Sequence, residues 1–202
     1  MKGGIRETRF AMQKELTANR IGGRAVGALF FAGFGVLWLV LGLYAKERLT
    51  LGPVAMVVCG AAVLSAGALA LLRRAKEFPR EEDNPAMARA FKWINIVQWV
   101  AVGVVAFAFS RFGIDAYVMS AITAIVGLHM FPLARLFRYP MHYATGAVLV
   151  AWAAASVFLF SVNSMQGSTA LGTGTILWLS ALITLGLGMR AMRKGAYAAL
   201  PS

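Results

Sequence analysis

Apolar residues along this chain fall into long runs, separated by short polar or basic stretches. Six runs stand out: about Ala25 to Tyr44, Leu51 to Leu72, Ala90 to Ser110, Ile114 to Leu136, Met141 to Ser161 and Ala170 to Met189. A helix of about 20 apolar residues crosses the ~30 Å hydrocarbon core of a bilayer. The pattern predicts an all-α, polytopic membrane protein with six transmembrane helices. The first run exceeds the roughly 7–15 residues of a signal-peptide core and reads as a retained span.

The polar positions between the runs choose an orientation. Lys2, Arg6, Arg9, Lys14, Arg20 and Arg24 precede the first span, and Arg73, Arg74, Lys76, Arg80, Arg89 and Lys92 lie between or beside the second and third. Arg135 and Arg138 close the fourth, while Arg190, Arg193 and Lys194 close the sixth. Of the 20 Lys and Arg, this leaves Lys46, Arg48 and Arg111 for the opposite side. Because cationic loops stay in the cytoplasm, both termini are expected there, in a multi-pass protein of the cell inner membrane.

Residues 1–24 form a basic cytoplasmic segment. Ile5, Met12 and Leu16 share one helical side, which suits an interfacial amphipathic helix as well as it suits a solvated tail, and Gly22-Gly23 is expected to end it. The membrane domain then occupies 25–192, with a cytoplasmic tail over 193–202. Asn84-Pro85 has the chemistry of a helix start, so span three is expected to begin below the membrane and enter it near Lys92. The polar stretch Asn163 to Thr169 reads as a connecting turn.

Composition strengthens this picture. The chain has 202 residues, 59% hydrophobic and 14% charged, with mean hydropathy +0.70; a soluble domain carries about 25% charged residues. The net charge of +12 would suggest nucleic acid in a soluble protein. Its placement beside spans points instead to anionic lipid headgroups, and nucleic acid is not an expected partner. Cys59 is the single cysteine, which excludes an intrachain disulfide.

In lipid, helices choose one another by close approach and polar contacts. Small residues recur every fourth position in span two (Ala62, Ala66, Ala70), span four (Ala116, Ser120, Ala124), span five (Ala147, Ala151, Ala155) and span six (Ser180, Thr184, Gly188). They predict a compact bundle and leave a homo-oligomer open. Spans three and five both end in Phe-x-Phe-Ser, and LALLRRAKEFP resembles PLARLFRYP. Three consecutive helical hairpins would account for this, although positive flanks alone produce part of the likeness.

The candidate chemistry lies in polar residues within the spans, where burial is expensive. Asn95 and Gln98 stand one turn apart on span three. Each of Gln98 and His129 lies six residues from a flanking cation, about 9 Å of helix. A hairpin of spans three and four would bring the three together. Pro132 leaves the Leu128 carbonyl without its helical donor, and Arg135, Arg138, Tyr139, His142 and Tyr143 continue outward. Two readings stay open. One is a vestibule for a small polar or anionic ligand, built from Asn95, Gln98, His129, Arg135, Arg138 and His142. The other is an Asn-Gln-His clasp between helices.

Other chemistry is thinner. His129 and His142 lie on neighbouring spans, but His142 is one residue into span five and suits an axial haem ligand poorly. No acid lies deep in a span, as a proton-coupled pump would want, and no phosphate-binding loop is present. No catalytic set and no cofactor are expected. The leading expectation is a small transporter-like or channel-like protein with a polar site at the cytoplasmic end of spans three to five. A membrane enzyme acting on a lipid or polyprenyl headgroup and a non-catalytic assembly or sensory subunit are the alternatives.

Overall fold

A computed structural model describes residues 18–77 and 84–198, with the side chains of 21–77 and 84–193. It is all-helical there: α1 Ala18–Ala45, α2 Leu51–Ala75, α3 Pro85–Arg111, α4 Val118–Phe137, α5 Met141–Leu159 and α6 Val162–Ala198. A short 3-10 turn, Asp115–Tyr117, leads into α4. All six segments are long and apolar enough to cross a membrane. This is a polytopic membrane protein with six spans. The start of α1, the end of α2, the start of α3, the end of α4, the start of α5 and the end of α6 share one end of the bundle. Most of the arginines lie at that end, called here the basic end.

Local chemistry explains most boundaries. Asn84 caps α3, its side-chain oxygen accepting from the Ala86 and Met87 amides at 3.0 and 3.3 Å, with Pro85 in the first turn as expected. The Gly22-Gly23 pair does not interrupt α1. Ile21 and Ala25 beside it are fully buried, so packing offsets the roughly 1 kcal/mol that each glycine costs a helix. Ile5, Met12 and Leu16 lie outside the described residues. The stretch expected to be a turn, Asn163 to Thr169, is instead the first two turns of α6. The Ser161 carbonyl accepts from the Met165 amide at 2.9 Å, and Met165, Gly167 and Thr169 are buried. Tertiary burial at every second position overrides the polar composition there.

Two crossings hold the bundle. The deepest packing pairs α1 with α6 and α4 with α5. Hairpin neighbours α1–α2, α3–α4 and α5–α6 also touch. At each deep crossing two glycines meet. A β-carbon on Gly146 would fall 2.7 Å from the Gly127 carbonyl oxygen, and one on Gly174 would fall 2.9 Å from that of Gly35. Backbones this close gain the dispersion contacts that replace a hydrophobic drive in lipid. Trp178 of α6 lies against Gly35 and Gly60, and its indole donates to the Ala32 carbonyl at 3.1 Å.

The small-residue ridges are half right. Ser120, Ser180, Thr184 and Gly188 are buried. Ala62, Ala66, Ala70, Ala147 and Ala151 are exposed. The buried face of α2 carries Leu64, Ala68, Leu71 and Ala75, and that of α5 carries His142, Thr145, Gly146, Leu149, Ala153 and Ser156. Alanine is equally comfortable against lipid, so its spacing alone does not choose a face. α3 is peripheral: none of its residues is buried, and it packs chiefly on α4.

Candidate functional site

The predicted polar residues differ in how they are partnered. Asn95 is half-buried and donates its amide to the Phe91 carbonyl of its own helix at 2.8 Å. Gln98 is half-buried nearby on α3. His129 is half-buried and approaches the backbone of Ile94. No side-chain hydrogen bond joins Asn95, Gln98 and His129 among the described residues.

His142 sits in the first turn of α5, within electrostatic reach of His129, and is 8% exposed. Three rings surround it edge-on: Phe31 of α1 at 5.6 Å between centroids, Phe137 of α4 at 6.4 Å, and Tyr139 at 5.1 Å. Its Nδ1 is the one buried side-chain polar atom without a hydrogen-bond partner among the described residues. Buried polar groups are nearly always paired, so such an atom calls for a reason.

Tyr139 separates this imidazole from the surface. Its hydroxyl donates to Thr184 at 3.3 Å, and the Arg24 guanidinium lies 5.4 Å from its ring centre. On its outer side Tyr139 helps line an open recess of about 360 Å³, with Ala134, Arg135, Arg138, Pro140 and Tyr143. Both arginines are exposed, and among the described residues no carboxylate lines the recess. Arg138 ends α4 in the left-handed conformation (φ 48°, ψ 42°), and the Tyr139 amide reaches back to the Ala134 carbonyl at 3.0 Å. That motif ordinarily takes glycine. Pro132 lies within α4. It and Leu128 are exposed, so the carbonyl it frees lies on the outer face of α4.

The sequence reading missed a buried hydroxyl seam where α4, α5 and α6 meet. Toward the end opposite the arginines, Ser120 lies 2.8 Å from Ser156 and 3.4 Å from Thr169, and Thr123 lies 2.9 Å from Thr173. Nearer the basic end, Thr145 donates to Ser180 at 3.0 Å. The Thr173 hydroxyl donates to the Thr169 carbonyl at 2.8 Å, leaving its oxygen to accept from Thr123. On α6 the hydroxyls stand at 169, 173, 180 and 184, covering about 22 Å of helix. That periodicity is visible in the sequence. Ser120, Ser180 and Thr184 register there as small residues, and their second property, pairing, is what the fold uses.

The seam is satisfied within itself. Contacts of this kind contribute about 0.6 kcal/mol each in membrane proteins. These hydroxyl pairs tie α4, α5 and α6 together. Among the described residues, the buried side-chain atom left without a partner is the His142 Nδ1.

No model of a protein family matches this chain, and no curated protein and no solved structure matches it.

Proposed function

We propose that this protein is transporter-like and receives a small anionic ligand at the end of α4 and the start of α5. One observation carries the reading: an unpaired, buried His142 Nδ1 lies behind Tyr139, whose other side lines a recess with two exposed guanidiniums. Arginine is suited to oxyanions because its donors form a fixed fork. A ligand drawn to Arg135 and Arg138 would reach the imidazole by displacing Tyr139, which is held by one long hydrogen bond and a cation–π contact. Asn95, Gln98 and His129 form the flank of this region along α3. On the positive-inside rule the recess opens to the cytoplasm, and both termini lie there.

The test uses purified protein reconstituted in nanodiscs and proteoliposomes. Inorganic phosphate, sulfate and nitrate are titrated by calorimetry, and their flux is followed in the liposomes. Replacing His142 with Phe should leave the fold intact, since an aromatic ring of similar size enters an aromatic cage, and should abolish flux. Normal flux of every anion bound, in both His142→Phe and Arg135→Gln, would refute the site.

A second reading, a non-catalytic assembly subunit, is favoured by the self-satisfied hydroxyl seam. It expects His142→Phe to change neither binding nor flux and Thr173→Val to loosen the bundle. An enzyme acting on headgroups is less supported, because the described residues that line the recess include no carboxylate for acid–base work.

A further inference from the structure

The recess does not end at the arginines. From it, a strip of exposed apolar surface runs along the α4–α5 boundary toward the middle of the membrane. On α4, Phe131 and Leu128 follow Arg135 at helical spacing, and Leu128 is 58% exposed. On α5, Ala147 follows Tyr143 one turn on, and both are exposed. The Phe131 and Tyr143 rings lie 5.9 Å apart at the neck between recess and strip. Behind them the helices cross at Gly127 and Gly146, where the Phe131 ring, Met130 and Val150 pack against the glycine backbones.

This is a polar head socket joined to an apolar track, lying at the depth where a headgroup gives way to chains. Tyrosine favours that depth because its ring is apolar and its tip is wet. We infer that the recess and this strip together hold one anionic phospholipid, its headgroup at Arg135 and Arg138 and an acyl chain along Phe131, Leu128 and Ala147. The inference rests on the reading of the recess as an anion site and gives its ligand a chemical class. Charge complementarity selects this occupant. A second copy of the chain on the same face would crowd like guanidiniums around the symmetry axis, which disfavours association. A lipid phosphate neutralises them. The left-handed Arg138 adds to the argument, since glycine would relieve the backbone there but leave the socket with half its charge.

The experiment is native mass spectrometry of the detergent-purified protein with phosphatidylglycerol or phosphatidylcholine added, alongside calorimetry with inorganic phosphate. Phosphatidylglycerol should be retained as a single copy, about tenfold or more in preference to phosphatidylcholine, as expected for charge-assisted hydrogen bonds. Arg135→Gln with Arg138→Gly should reduce it to the phosphatidylcholine level. Ala147→Leu, which fills the track, and Leu128→Ala, which strips its wall, should each weaken lipid retention several-fold and leave phosphate binding unchanged. Both track variants lie on the outer surface, and either suffices if the other folds poorly.

Equal retention of the two lipids by the unaltered protein would overturn the inference. So would phosphate binding that needs the arginines together with lipid retention indifferent to the track, and that outcome leaves the anion site standing. Arginine variants that change neither lipid nor phosphate binding would remove both.

Discussion

The two sides of α4 handle intramembrane polarity in opposite ways. Toward α5 and α6, hydroxyls are almost wholly buried and paired with one another across three helices. Toward α3, Asn95, Gln98 and His129 are half-exposed, and Asn95 satisfies itself on its own backbone. A polar residue in a span is thus no sign of function by itself. The informative ones are those that burial leaves unpaired, and here that is His142.

Perturbing each side should expose the difference, and the largest effect belongs to the crossing beneath the seam. Gly146→Val would drive a side chain into the Gly127 backbone. Overpacking of this kind costs about 1–3 kcal/mol or more, so the variant should lose its folded fraction in a detergent melt monitored by circular dichroism. An unchanged melt would mean α4 and α5 do not cross there.

Thr173→Val comes next. It strands the Thr123 hydroxyl and should lower stability by about 1–2 kcal/mol. Adding Thr123→Val should restore much of that, a sign of coupling that independent sites would lack. Arg138→Gly should act the other way, raising stability by about 1 kcal/mol by relieving the left-handed residue while weakening anion binding. A fall in stability would show that the arginine side chain holds the turn. Smallest of all, Asn95→Leu should shift the melt by about 0.5 kcal/mol or less. A larger drop would return the clasp to the α3–α4 side.

Much of the fold is legible in the sequence because bilayer thickness and backbone hydrogen bonding leave little choice: apolar runs of this length must be helices. Asn84-Pro85 reads correctly for the same reason, a local rule with nothing to compete against it. Faces are harder. Ala147 and Ala151 suit a helix interface and a lipid surface equally, so only the three-dimensional arrangement decides between them. At Asn163 to Thr169, long-range burial of Met165 and Thr169 outweighs local polarity. The candidate site reads in part. His142, Arg135 and Arg138 share one end as expected, but sequence depth does not reveal rotation about the α4 axis. That rotation sends His129 toward α3 and leaves His142 among Phe31, Phe137 and Tyr139.

The length of α6 has a further consequence. Its 37 residues extend about 55 Å, far beyond the ~30 Å of hydrocarbon a bilayer supplies. Its early turns are moored by Gln166, which donates to the Asp115 carbonyl at 2.8 Å, and by buried Met165. The surplus therefore emerges past Arg190 and Arg193, and a thicker membrane would swallow more of it. Where those two cations settle is thus a gauge of bilayer thickness, transmitted along a rod that carries every α6 hydroxyl of the seam.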